Sequence, residues 1–285
     1  MKDIFVPSVK RKQIIELAES GKRTDGRSLT DIRELKIEPG MVVKANGSAG
    51  VHLGGSYVVA GCKYELGDPF PDTPNDGVLS VSSEFVPMAS PEFEPGPPDA
   101  TSIELARVVD RGLRESKLLD TSKMCVIPGK KVWIAWLDLY ILDHCGNLID
   151  TAALAGLTAL LTSKFPKWEV DGDEVNVLEE FGPAPLRAIP VNITLAKIGD
   201  KLFVDPSLEE EEVMDCRLSV NFTEDGVICA MQKGKSGTFT PEEVLRAVEI
   251  AKTKTQELRK QLPISDEVLK NIENSKKETA AKGEK

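Results

Sequence analysis

The spacing of hydrophobic and polar residues along this chain changes period several times. Residues 8–20, SVKRKQIIELAES, carry apolar residues at helical spacing, with Ser8 placed to cap the start and Gly21 to stop it. From 37 to 84 the pattern shortens to strands joined by tight turns. In GSAGVHLGGSYVVAGCKYEL two β-rich runs flank Gly54-Gly55, a hairpin signal. FEPGPPDA predicts a rigid loop, because its three prolines in eight residues exclude helix and central strand. A helix over about 101–117 follows. KVWIAWLDLYILD then alternates and is rich in Val, Ile, Trp and Tyr, which predicts a half-buried strand. Gly146 and Asn147 both tolerate positive φ and supply a turn, and the Ala- and Leu-rich run from Thr151 predicts the next helix.

Beyond that point the chain repeats the theme. Residues 167–187 are acidic and contain Pro183 and Pro185, so they read as a connection between two halves. VNITLAKIGDKLFVD predicts a hairpin turning at Gly199-Asp200, and RLSVNFTEDGVICAMQKG another turning at Asp225-Gly226. TPEEVLRAVEIAKTKTQELRKQL predicts a helix with Thr240 as N-cap, Pro241 in the first turn and Glu243 closing a capping box. The end, NSKKETAAKGEK, has few apolar residues and predicts a frayed or disordered tail. Strands followed by helices, twice over, predict an α+β protein of two halves rather than a doubly wound sheet. The expected division is an N-terminal helix and lead-in over 1–30, a first domain over 31–166, the connection over 167–187, a smaller second domain over 188–262, and a C-terminal helix or disordered tail over 263–285.

Composition narrows the chemistry. The net charge of −10 argues against indiscriminate nucleic-acid binding but leaves room for a local basic stripe. The five cysteines form no CxxC pair and read as free thiols of a reducing cytosol; with only His52 and His144, no histidine-based zinc site is expected. No apolar run is long enough to span a bilayer, and MKDIFVPSVKRKQ lacks the apolar core of a signal peptide. A cytoplasmic protein without membrane, metal or cofactor is therefore expected.

The segment SIELARVVDRGLRESK holds the main candidate site. At 100° per residue, Leu105, Ala106, Val108, Val109 and Leu113 share one side of a helix. Arg107, Arg111 and Arg114 share the other, and only Ile103 breaks the pattern. One reading is a solvated face on which Asp110 pairs with Arg114 and Glu115 with Arg111, the commoner case for a charge run. The other is a track for a polyanion, since three like charges in one stripe repel each other unless phosphates lie along them. DPSLEEEEVMDCRLSV brings a second cluster, Asp205 and Glu209 to Glu212, open to a divalent cation or, more often, a solvated loop.

Taken together, RTDGR, GSAGVHLGGSYVVAG, FEPGPPDATSIELARVVDRGLRES and DPSLEEEEVMDCRLSV resemble the RNase PH family, from about residue 10 to 255. They resemble most the non-catalytic RNase PH-type subunits of the archaeal exosome. The resemblance implies two α+β halves, the first S5-domain-2-like. It also implies a hexameric ring of three heterodimers with a catalytic RNase PH-type paralogue, RNA-binding cap subunits, and single-stranded RNA degraded from its 3′ end by phosphorolysis.

Departures from the active pattern carry the functional expectation. Catalytic members place Ser or Thr and then Arg at the start of the central helix to bind phosphate. Ile149 and Asp150 stand there, and an anion at a phosphate site costs about 1–4 kcal/mol in a partly exposed setting. Ala100 and Thr101 stand where two arginines are needed, and Arg217 where a catalytic aspartate is, with Asp215 two residues away. Phosphoryl transfer depends on such positioned charges. The expectation is a subunit without catalysis of its own, which binds RNA through Arg107 and Arg111, less through Arg114, and helps structure its neighbour's active site. The alternative is an active phosphorolytic exoribonuclease.

Overall fold

The computed structural model describes the backbone of residues 8–283 and the side chains of 9–277; the Ser8 cap and the leader expectation lie outside them. Helix α1 (Ser8–Glu19) ends as expected, with Gly21 at φ +71 and the Lys22 amide donating to the Leu17 carbonyl. Strands β1 (Leu35–Pro39), β2 (Gly47–Leu53) and β3 (Ser56–Gly67) form a meander, and Leu53 pairs with Ser56 around the Gly54-Gly55 turn. Strand β4 (Val78–Phe85) leads through the proline loop to helix α2 (Ala100–Glu115), a span shifted by one or two residues from the expected one. Asp99 caps its start by accepting the Ser102 amide at 2.7 Å, and Lys117 ends it at φ +55.

A short strand β5 (Cys125–Ile127) precedes β6 (Lys131–Asp143), whose inward and outward residues alternate as its sequence does. The first sheet runs β1-β2-β3-β6-β4, with β5 on β6 and β4 parallel to β6. Helix α3 (Leu148–Leu161) begins three residues earlier than its composition suggests, because Asn147 makes the left-handed turn and Leu148 is already helical. All of α3 is buried. A helix apolar on every side needs cover on every side.

Residues 167–187 are a folded connection: β7 (Lys164–Asp171) and β8 (Glu174–Pro183) make a hairpin of their own. In the second half, β9 (Val191–Ile198) and β10 (Lys201–Val204) turn at Gly199-Asp200 as expected. The acidic run folds as helix α4 (Leu208–Val213), with Ser207 and Glu210 forming a capping box. Strands β11 (Cys216–Phe222) and β12 (Ile228–Gly234) complete a sheet ordered β10-β9-β11-β12. Helix α5 (Pro241–Arg259) has the expected Thr240–Glu243 capping box.

Of the helix or disordered tail expected over 263–285, the structure has the helix, α6 (Asp266–Gly283). It is anchored by buried Ile272, by Ser275 donating to Asp120, and by Lys276 pairing with Glu224 and Asp225. Sparse apolar spacing is enough for a helix that docks on one side. Helix α3 lies between the two sheets, touching β2, β3 and β6 on one side and β9 on the other. Helix α2 packs beside it, over β4 and against β12, and α5 covers the far face of the second sheet. Leu105, Val109 and Leu113 of α2 enter the same core as Leu154, Leu157 and Leu160 of α3 and Leu195 and Val220 of the second sheet. Two halves fused through one core hold α2 and the start of α3 in fixed relation.

Candidate nucleic-acid interface

Helix α2 divides as its wheel predicts. Leu105, Val109 and Leu113 are buried, Ala106 and Val108 half-buried, and Arg107, Arg111 and Arg114 exposed; Ile103, the odd position, is 51% exposed. The arginines are not equivalent. Arg114 pairs with Asp110 at 2.8 Å, the expected i,i+4 pair. Glu115 sits 4.0 Å from Arg114 and does not pair with Arg111. Arg107 and Arg111 make no hydrogen bond or ion pair among the described residues. Arg111 sits beside Asn192 and Ser219 of the second sheet and Gln232 of β12, so its guanidinium borders the seam between the halves. Two guanidiniums without an ion pair are donors for phosphate oxygens.

The turn before α3 is built quite differently. Gly146 takes φ +94, and any side chain there would collide with the backbone of Ser207 and Leu208. Arg33 clamps this turn, donating to the carbonyls of Cys145 at 2.8 Å and Gly146 at 3.1 Å, while its guanidinium grips Asp205 at 2.7 Å. Asn147 joins three acids. Its side-chain amide donates to Asp150 and to Asp205, each at 2.8 Å, and its backbone amide to Glu211 at 3.0 Å. The place of an anion at this helix N-terminus is thus taken by a carboxyl group of the protein itself.

Asp150 is 1% exposed and points into the seam. It accepts from Asn192 Nδ2 at 2.6 Å, from the Thr194 amide at 2.9 Å and from the Thr194 hydroxyl at 2.8 Å. Burial pushes its carboxyl up to about 6, against the donors of Asn147 and Thr194 that favour the charge. Burial likewise pushes Glu211 up to about 7, although Asn147 donates to it. Asp205, buried as well, is nevertheless held below the usual carboxylate range by Arg33. Ile149, the other residue at the expected phosphate position, is 8% exposed and belongs to the core.

The remaining expected positions scatter. Ala100 and Thr101 are the exposed first turn of α2. Asp215 turns away from α3, accepting from Arg11 at 2.7 Å and from the Gly199 amide at 2.9 Å; burial raises its carboxyl, but those donors bring it below its ordinary value. Arg217 reaches α2 instead and pairs with Glu104 at 2.6 Å. The acidic run is not a solvated loop: Glu210 is buried against Arg23, whose Nε donates at 2.8 Å, and Asp205 takes Arg27 and Arg33. Among the described residues no group of three His, Cys, Asp or Glu side chains is placed to hold a metal, and no helix is long and apolar enough to cross a membrane. The structural importance of Arg23, Arg27 and Arg33 escaped the pattern analysis. The one signal, for Arg23 and Arg27 alone, is the RTDGR motif, and Glu210 and Asp205, which the three arginines meet, lie more than 170 residues away.

Comparison with known proteins agrees with this architecture. Residues 31–166 match the model of the 3′ exoribonuclease family domain 1, and residues 188–254 that of domain 2. The protein named exosome complex component Rrp42 from Thermococcus kodakarensis is 49% identical over 257 residues, which cover 90% of this chain and 94% of that one. Its namesake from Pyrococcus horikoshii is 52% identical over 258 residues, with the same coverage. A chain of the Archaeoglobus fulgidus exosome solved with RNA bound to the active site superposes with a TM-score of 0.82 at 41% identity, over 89% of this chain and 97% of that one. Rice Rrp46, at 17% identity and a TM-score of 0.65, shares the fold. Two fused α+β halves, matching family models over both and relatives about half identical over nine-tenths of the chain, make this protein a member of the RNase PH family of 3′ exoribonucleases.

Proposed function

We propose that the chain is a non-catalytic, RNA-binding subunit of an exosome ring of the archaeal kind, working in the cytoplasm. In this reading it alternates with a catalytic RNase PH-type paralogue in a ring of three heterodimers, under RNA-binding cap subunits. Arg107 and Arg111 hold the phosphates of single-stranded RNA near that neighbour, and Arg114, already paired with Asp110, contributes less. Ile149 and Asp150 stand for a degenerate phosphate site kept for its fold.

The observation that carries the proposal is the contrast between two anion positions. The Arg107 and Arg111 guanidiniums are free, whereas the α3 N-terminus is filled by Glu211 and closed by the backbone of Ser207 and Leu208. Phosphorolysis needs a phosphate cradled beside the RNA end. Here the cradle is occupied from within, Ala100 and Thr101 bring no charge, and Arg217 is spent on Glu104.

The test is the purified chain with single-stranded RNA and inorganic phosphate. No nucleoside diphosphate is expected from the chain alone, and release is expected once the catalytic paralogue is added. Phosphate-dependent release by the chain alone, surviving Asp150→Ala, would show an active exoribonuclease instead.

A further inference from the structure

Beyond the α2 stripe, the end of the first sheet carries a second concentration of unpaired positive charge. A cavity of about 670 Å³ opens where the loop 40–46, the β3 strand and the start of β7 meet. Lys44, Lys63 and Lys164 line it, from three separate segments, and no carboxylate does. The chain as a whole carries a net charge of −10, and several of its other lysines meet acids. Lys10, Lys130, Lys131, Lys167, Lys197 and Lys276 all sit within ion-pair distance of acids. Lys44, Lys63 and Lys164 make no ion pair among the described residues.

The cluster is built, because Asn46 ties its three segments together. The Asn46 amide donates to the Cys62 carbonyl at 2.8 Å, and its side-chain oxygen accepts the Tyr64 amide at 3.1 Å, which fixes the strand on both sides of Lys63. Its carbonyl accepts the Lys164 amide at 2.9 Å, and its side-chain nitrogen donates to the Lys164 carbonyl at 3.2 Å. Lys44 stands two residues before this hub. Gly47, the next residue, packs so closely on Ala159 and Ser163 that a side chain there would collide with the end of α3. Three like charges are therefore held in one place by the backbone, and none of them makes an ion pair among the described residues.

The walls are apolar. Val43 is almost wholly exposed, and Phe181 of β8 is 52% exposed at the rim. Phe181, Lys63 and Asn46 also line an adjoining cavity of about 380 Å³. There Glu65 is the only acid, and Trp133 is buried with an indole N–H that has no acceptor among the described residues. A row of cations beside an exposed aromatic ring is the arrangement that binds single-stranded nucleic acid, phosphates on the charges and a base on the ring. An acidic peptide would answer the lysines and leave the ring unused.

We infer that this cavity is a second contact for single-stranded RNA, in which Lys44, Lys63 and Lys164 take backbone phosphates and Phe181 stacks a base. It rests on the reading that the chain binds RNA. It lies at the Thr162 end of α3, a helix of 14 residues and so about 21 Å long, whose other end carries the Asn147 turn. Only an RNA long enough to span both places engages the lysines and the α2 arginines together.

The experiment measures RNA affinity against salt for the full chain assembled with its catalytic paralogue. It uses a long unstructured oligonucleotide and compares the parent, Lys44→Glu/Lys63→Glu/Lys164→Glu, and Phe181→Ala. The triple variant is expected to bind about tenfold or more weaker, with a salt slope shallower by about two units, as three lost single-strand contacts require. Phe181→Ala is expected to lose about fivefold with the slope unchanged, because stacking releases no counterions. Unchanged affinity and slope in the triple variant would overturn the inference. Arg107→Glu/Arg111→Glu is measured alongside. A loss there without a loss in the lysine variant leaves the proposed function standing and removes only this site.

Discussion

The two helices that meet in the core treat charge in opposite ways. Helix α2 buries one face and leaves Arg107 and Arg111 free in solvent. Helix α3 is buried on every side, and the single acid in its first turn, Asp150, is saturated by Asn147, Asn192 and Thr194. A charge left unpaired at a surface costs the fold little and remains available to a ligand. A charge buried and saturated with donors serves the fold and is lost to any ligand. Helix α2 thus keeps two exposed, unpaired cations, whereas the turn before α3 is filled by the protein's own side chains.

The largest expected effect lies on the α3 side. Asp150→Ala leaves the donors of Asn192 and Thr194 without their acceptor in the seam between the halves. A loss of about 3 kcal/mol in unfolding free energy is expected by denaturant titration. A loss below about 1 kcal/mol would mean that the seam does not depend on this carboxylate.

A second, smaller effect depends on pH. Glu211 ionises near its ordinary 4.5 when unfolded but only at about 7 when folded. The folded state therefore holds the extra proton between these values, and folding becomes less favourable as pH rises through them. Glu211→Gln keeps an oxygen for the Asn147 amide and removes the titration. Its stability relative to the parent is expected to rise from pH 5 to pH 7, by at most about 1.4 kcal/mol per pH unit. A difference flat with pH would contradict the burial-driven shift. His144, lowered by burial, contributes with the opposite sign in both proteins and cancels in this difference.

The smallest effect is expected at Arg114. Arg114→Ala breaks a part-exposed pair with Asp110 and a long contact with Glu115, and should change stability by less than about 0.5 kcal/mol and RNA affinity little. A loss as large as that of either other arginine would make the three equivalent after all.

What the pattern of residues made legible, and what it did not, follows the same division. The amphipathic α2, the hairpins at Gly54-Gly55, Gly199-Asp200 and Asp225-Gly226, and the Thr240 cap all rest on neighbours within a few residues. Local spacing therefore reveals them. The start of α3 was missed by three residues because Leu148–Asp150 owe their helical state to the turn at Asn147 and the cover of β9. The β7–β8 hairpin was hidden because its strands expose charges on both faces and lack a clean alternation. Asn192 and Thr194, which hold Asp150, lie more than 40 residues on, and the arginines that meet Glu210 and Asp205 more than 170 away. No periodicity reports such contacts.

The central claim is that the free guanidiniums of α2 hold RNA while the closed α3 turn does not. The direct measurement is RNA affinity against salt concentration for the ring assembled with Arg107→Glu/Arg111→Glu, beside the parent ring. The variant should assemble and melt like the parent, bind several RNA sequences about equally more weakly, and show a salt slope shallower by about one to two units. An assembled variant that binds and degrades RNA as well as the parent would make the stripe a solvated face and contradict the account.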